Sequence, residues 1–386
     1  MTVIKRLLNI ELPDGQSCFL WGARKTGKST FLRGHFLNAL YVDLLDAQVY
    51  QSYLSYPGRL AEHVRAHPEK SVIILDEVQK IPFLLDEVHR MIEKYKDKSF
   101  ILCGSSARRL KETGANLLGG RAWRYVFVPL CYPELHTLDW QKIFTHGLIP
   151  SHYLEENSVK RSLSAYLFDY VLPEVQFEAN LRKRDNFARF LDMLGFSGGE
   201  LINYSNIARD CGVDAKTVRT YFEILEDMYL GYYLRPYQTR DTRQSIQQMP
   251  KFYLFDVGLA SYLRRFDFKD MTGSEAGKSF EHYVFLELMA YKLLKNIRDD
   301  IYFWRTKEGY EVDFIFQNHA FEVKITQSFR KSDIQGLLAF SKNNTHQLHI
   351  ISLEPRKRIL SIEQKEITIW PIQEFLDVFW SGDFIQ

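Results

Sequence analysis

A chain of 386 residues, 46% of them hydrophobic and 25% charged, is longer than one ordinary domain; two or three folded domains are expected, and the disordered and collagen-like classes are excluded. The net charge of +2 excludes polyelectrolyte binding by the whole surface and leaves room only for a local nucleic-acid face. Four scattered cysteines, Cys18, Cys103, Cys131 and Cys211, form no Cys-x-x-Cys pair, which speaks against zinc and disulfides. With no signal-like leader before Asp14 and no uncharged apolar run of about 18 residues, the expected setting is the cytoplasm, without a membrane.

Residues 1–140 alternate short apolar runs with helical patterns, as a doubly wound parallel α/β sheet does. Strands are predicted over Ser17 to Trp21, Leu40 to Leu44, Val72 to Leu75, Phe100 to Cys103 and Tyr125 to Val128. Helical spacing covers Ser29 to Phe36, Arg59 to Ala66 and Phe83 to Tyr95. Continuous apolar runs, in place of strict alternation, fit strands buried on both faces.

Between the first strand and the first helix, Gly22-Ala23-Arg24-Lys25-Thr26-Gly27-Lys28-Ser29 fits G-x-x-x-x-G-K-[ST] in full. Its glycines let backbone N–H groups wrap a β-phosphate at the positive end of the following helix. Lys28 is expected to reach the β- and γ-phosphates and Ser29 to ligate Mg²⁺, with Thr30 completing the nucleotide-binding set. ATP and Mg²⁺ are the predicted cofactors.

The third strand runs into Asp76-Glu77, where an open α/β sheet places its ligand chemistry. Asp76 is assigned to the Mg²⁺ shell and Glu77 to the attacking water, which it would orient and polarise; a helix cap is the plainer alternative. The fourth strand ends in Gly104-Ser105-Ser106, making Ser105 or Ser106 a candidate sensor of the γ-phosphate, again with a cap as the alternative. Arg121 is a candidate for neutralising transition-state charge, in cis or in a neighbouring subunit of a homo-oligomer.

Residues 151–256 lose the strand pattern and read as helical. Ser205 is placed as the cap of a helix through Asp210, Gly212 in a tight turn, and Asp214 as the cap of a second helix. Val218, Tyr221, Phe222 and Leu225 share one face of that second helix, so the segment reads as a helix-turn-helix, extended by a hairpin from Tyr229 to Leu234 and Lys251 to Phe255. Lys216, Arg219 and Thr220 are candidate contacts to DNA phosphates; protein docking is the alternative. Residues 270–386 form a smaller α/β unit. It comprises a long helix from Lys278 to Leu294, strands at Ile301 to Trp304, Glu311 to Phe316, Ala320 to Ile325 and Gln347 to Leu353, and a helix near Ile334 to Ser341.

These residues together resemble a group of bacterial and archaeal AAA-type ATPases that join a P-loop domain to a C-terminal domain long catalogued as of unknown function. The likeness is carried by Gly22 to Ser29, Leu75-Asp76-Glu77-Val78-Gln79-Lys80-Ile81-Pro82, Gly104-Ser105-Ser106 and Gly120-Arg121. Phe255-Asp256-Val257-Gly258-Leu259 and Gly277 to Leu288 continue it. It implies an ATPase core, a winged-helix middle and a C-terminal domain similar to PD-(D/E)XK nucleases. One departure stands out: Tyr170-Val171-Leu172 precedes Pro173-Glu174 where the group usually carries a small Gly-rich step.

A nuclease core of that kind needs a carboxylate ending one strand, Glu-x-Lys on the next and often a Glu on a preceding helix. Asp313, Glu322-Val323-Lys324 and Glu281 stand in that order. Asp313, Glu322 and Glu281 are assigned as metal ligands, and Lys324 as a charge stabiliser or water-orienting group. The plain alternative is a β-hairpin with polar residues outward. The leading expectation is an ATPase that couples its nucleotide state to DNA binding or processing; the alternative is a slow nucleotide switch that docks a protein partner, with an inert C-terminal domain.

Overall fold

The computed structural model describes residues 4–108, 110, 118–178, 184–238, 249–327 and 331–384. Among the described residues the N-terminal region holds one sheet of five strands: β1 (Ser17–Trp21), β2 (Leu40–Asp43), β3 (Val72–Asp76), β4 (Ser99–Gly104) and β5 (Ala122–Val126). Their order is β2-β3-β4-β1-β5, and every pairing is parallel. Central residues such as Ile73, Ile74, Phe100 and Ile101 are fully buried, because helices cover both faces of a parallel sheet.

The register aligns the ends of the strands that matter. Asp76 of β3 pairs with Cys103 of β4, and Trp21 of β1 pairs with Gly104. The P-loop, Glu77 and Ser105 therefore leave the sheet side by side at its carboxyl edge. The fifth strand starts three residues before the apolar run of Tyr125 to Val128 and ends two residues before it does. After Phe127 N–H bonds Trp21 O at 2.6 Å, the chain turns away, and the Val128 and Pro129 carbonyls accept from Arg6 at 2.7 and 3.0 Å. A further helix, Ala47–Ser55, escaped the apolar spacing; Asp46 caps it by accepting from the Gln48 and Val49 N–H groups.

The middle of the chain is helical as expected. The first helix of the helix-turn-helix runs Tyr204–Cys211 and is capped by Asn203, whose side chain accepts from Asn206 N–H; the placement of Ser205 as its cap is corrected, since that residue lies inside the helix. Gly212 takes the left-handed turn at φ 67°, and Asp214 caps the second helix, Ala215–Asp227, by accepting from Thr217 N–H. Val218, Tyr221, Phe222 and Leu225 are buried on one face.

The two strands that follow, β6 (Gly231–Pro236) and β7 (Lys251–Leu254), form an antiparallel pair. β6 also pairs in parallel with β8 (Ile301–Arg305) through Arg235 and Tyr302. The pair therefore edges a sheet of eight strands among the described residues, in the order β12-β13-β11-β10-β9-β8-β6-β7. Its other members are β9 (Glu311–Phe316), β10 (His319–Lys324), β11 (Gln347–Ser352), β12 (Arg358–Ile362) and β13 (Lys365–Pro371).

The Gly273–Leu294 helix is buried along most of its length and joins the regions. Its Glu287 accepts from Tyr132 N–H at 3.0 Å and from Trp380 Nε1 at 2.9 Å, and burial pushes its carboxyl up to about 7. Among the described residues no helix is long and apolar enough to cross a membrane.

Candidate nucleotide site and C-terminal carboxylate cluster

The P-loop bends where only glycine fits easily. Gly22 has φ 152°, and a Cβ there would meet Phe127 O at 2.3 Å; Gly27 has φ 99° and leads into the Lys28–His35 helix. Arg6 braces the loop from the N-terminal arm: it donates to Thr26 O at 2.6 Å and pairs with Glu134 at 3.0 Å. The Thr26 hydroxyl closes the loop on Ala23 O at 2.8 Å. Lys28 is buried, and its ammonium donates to Gly22 O at 2.7 Å and Ala23 O at 2.8 Å. These carbonyls hold the charge at the mouth of the loop, from which a phosphate can draw it. Ala23 is buried beneath the loop, and Thr30 is exposed in the first turn of the helix.

Ser29 and Asp76 meet through a residue that motif reading did not single out. The Tyr41 hydroxyl donates to Asp76 Oδ2 at 2.5 Å, and Ser29 lies close enough to bear on the same phenol. Burial first, and Asp76 second, push the Tyr41 phenol far above its ordinary range, so it stays a donor. A serine hydroxyl and a buried carboxylate beside one phenol are hard oxygen donors, which fit Mg²⁺ completed by substrate phosphates.

Glu77 sits in the left-handed region at φ 61°, ψ 41°, a conformation that costs a non-glycine residue energy and marks many functional positions. Its Oε2 receives Arg24 at 3.0 Å and Gln79 Nε2 at 2.7 Å. Gln79 Nε2 also donates to Ser105 Oγ at 2.9 Å, and Ser105 donates to Glu174 Oε1 at 3.2 Å. Arg24 closes the circuit on Glu174 Oε1 at 3.2 Å. Of the two sensor candidates, Ser105 joins this network, while the Ser106 hydroxyl accepts from Arg108 N–H.

The segment that departs from the resemblance is the one that covers the loop. The Arg24 guanidinium lies 4.9 Å from the Tyr170 ring, Tyr166 donates to Arg24 O at 3.2 Å, and the Lys25 ammonium lies 5.9 Å from the Tyr166 ring. Glu174 and Tyr166 could not be found by spacing, because nothing local in the sequence ties them to a loop so far upstream.

Arg121 is not brought to this site within the chain. Ala122 pairs with Ser17 at the start of β1, the end opposite the P-loop, and exposed Arg121 pairs with Glu93 at 2.6 Å. In the helix-turn-helix, Lys216 is exposed, the Arg219 guanidinium lies 4.6 Å from the Tyr204 ring, and the Thr220 hydroxyl is spent on Lys216 O.

The C-terminal candidates do meet. β9 and β10 pair antiparallel with Phe314 opposite Phe321, and continuing that register puts Asp313 opposite Glu322 on one face. Asp313 Oδ2 accepts Val323 N–H at 2.8 Å, and Lys324 Nζ lies 2.6 Å from Glu322 Oε1. Glu281, on the Gly273–Leu294 helix, accepts from Tyr253 OH at 2.5 Å. Lys251 of β7 enters the same cluster, 2.6 Å from Glu311 and 3.7 Å from Glu281. Burial raises both Glu281 and Glu322 above the usual carboxylate range. Among the described residues no three His, Cys, Asp or Glu side chains are arranged to hold a metal ion. Lys251 and Lys324 stand among Glu281, Asp313 and Glu322, the second of them as the Glu-x-Lys spacing leads one to expect. Lys251, Tyr253 and Glu311 were missed because two of them lie on a strand far upstream and the third alternates as an ordinary polar strand residue.

Three family models match the chain. Residues 14–136 match an AAA domain, residues 137–270 a domain of unknown function (DUF8612) and residues 276–375 a second domain of unknown function (DUF4143). No curated protein matches. The matches support an AAA-type ATPase carrying two uncharacterised domains, with nucleotide binding and ATPase activity as the general property of the first.

Proposed function

We propose that the chain is a Mg²⁺-dependent ATPase that passes its nucleotide state to the middle segment through Arg24. The observation that carries this is the double attachment of that arginine: from within the phosphate loop it holds both Glu77, at 3.0 Å, and Glu174, at 3.2 Å. ATP phosphates entering the loop draw Lys28 from the Gly22 and Ala23 carbonyls and Arg24 from its two carboxylates. Glu77, released on one side and still held by Gln79, then serves as the base that orients the attacking water. Ser105 faces the γ-phosphate and reports its loss to Glu174. Ser29 and Asp76 would hold Mg²⁺, which would supply neutralisation of phosphate charge.

The test is Glu174→Gln. With one competing carboxylate removed, Arg24 is handed to phosphate more readily, so ATP should bind tighter by about fivefold, the size of a modest coupling energy. Unchanged or weaker ATP binding in a folded Glu174→Gln protein contradicts the link.

A further inference from the structure

Four carboxylates gather at one face of the C-terminal sheet: Asp313 and Glu322 are buried, and Glu281, from the Gly273–Leu294 helix, and Glu311 are half-buried. Such a group cannot stay charged without a cation. A phosphodiesterase site supplies a divalent metal there. Here lysines stand beside them, one from β7 and one from β10 itself. Lys251, only 4% exposed, reaches Glu311 at 2.6 Å and Glu281 at 3.7 Å, and its ammonium lies 5.4 Å from the Phe303 ring centroid. Lys324 covers Glu322 at 2.6 Å, and Tyr253, two residues along β7 from Lys251, caps Glu281 at 2.5 Å.

Lysine is almost never buried without such partners, so its position is explained by the carboxylates and theirs by it. We infer that Lys251 is the resident cation of this cluster: an ammonium supplied by β7 fills the place of a metal ion and makes the carboxylates an ionic lock tying β7 to the Gly273–Leu294 helix and β9. The lock joins the chain's middle to its C-terminal sheet, since β7 pairs with β6, the strand that follows the helix-turn-helix.

The test is Mn²⁺ uptake by the nucleotide-free full chain, read from the paramagnetic resonance of free Mn²⁺ up to the low millimolar range in which weak oxygen sites fill. Parent and Asp313→Asn should take up equal amounts, because any uptake by the P-loop is common to both. Lys251→Met should gain a site that the double variant Lys251→Met/Asp313→Asn loses. Uptake by the parent that Asp313→Asn reduces overturns the inference, as does a folded Lys251→Met protein that gains nothing. If Lys251→Met does not fold, the parent and Asp313→Asn decide alone: equal uptake supports the lock and reduced uptake overturns it.

Discussion

The hydroxyl of Tyr41 donates to Asp76 at 2.5 Å, joining the second strand of the ATPase sheet to the carboxylate that ends the third. Ser29 lies beside the same phenol, so Tyr41 bears on both oxygen groups assigned to Mg²⁺. Groups that orient a metal's ligands typically matter by tenfold or more in metal affinity. Tyr41→Phe should raise the Mg²⁺ concentration needed for half-maximal ATP turnover by about tenfold while leaving turnover at saturating Mg²⁺ close to the parent's. A matching loss at saturating Mg²⁺ would show that Tyr41 acts on folding or on the chemistry itself.

Glu77 is held by Arg24 and Gln79 but belongs to the chemical step in this account. Glu77→Gln keeps the shape and an acceptor oxygen and loses the base. ATP affinity should be retained within a few-fold and turnover should fall by about a hundredfold or more, the size of a general-base effect. Equal losses in affinity and turnover would assign Glu77 a structural role.

How far these roles could be read without coordinates depended on distance along the chain. The P-loop was legible because its chemistry is made by consecutive backbone groups, and Asp76-Glu77 because a buried apolar run must end somewhere at the sheet's edge. Ser105 followed from the same logic one strand over. Glu174 and Tyr41 were not legible: each acts through side-chain contacts made by tertiary packing, and neither position has a local pattern. Arg121 shows the converse. A Gly-Gly-Arg step looks like a catalytic loop, yet parallel pairing of Ala122 with Ser17 puts it at the end of the sheet opposite the P-loop of its own chain. Asn203 in place of Ser205 is a smaller case, in which two good capping residues lie close together and packing of Tyr204 decides between them.

His152 lies behind the P-loop, 1% exposed, with its ring edge on Tyr166 at 5.5 Å. Among the described residues neither ring nitrogen has a hydrogen-bond partner. Burial holds its pKa down to about 4, with Lys25 and His146 lowering it further and Glu155 opposing them. The folded protein therefore keeps the ring neutral, while the unfolded chain takes up a proton near the ordinary value of 6.5. Its contribution is complete above that value and is lost as pH falls toward about 4, with a slope of at most about 1.4 kcal/mol per pH unit. His152→Leu should match or exceed the parent's stability at neutral pH and lose less of it on acidification, as chemical denaturation would measure. Identical pH slopes for the two proteins would contradict the burial of a neutral imidazole.

The central claim, that residues 22–29 cradle ATP for hydrolysis, rests most directly on Lys28, whose ammonium is held by the Gly22 and Ala23 carbonyls. The measurement is phosphate release from ATP by parent and Lys28→Ala proteins in Mg²⁺, with calorimetric titration of ATP alongside. The account predicts turnover by the parent, none detectable in Lys28→Ala, and weakened ATP binding in the variant. Hydrolysis by Lys28→Ala at the parental rate would contradict it.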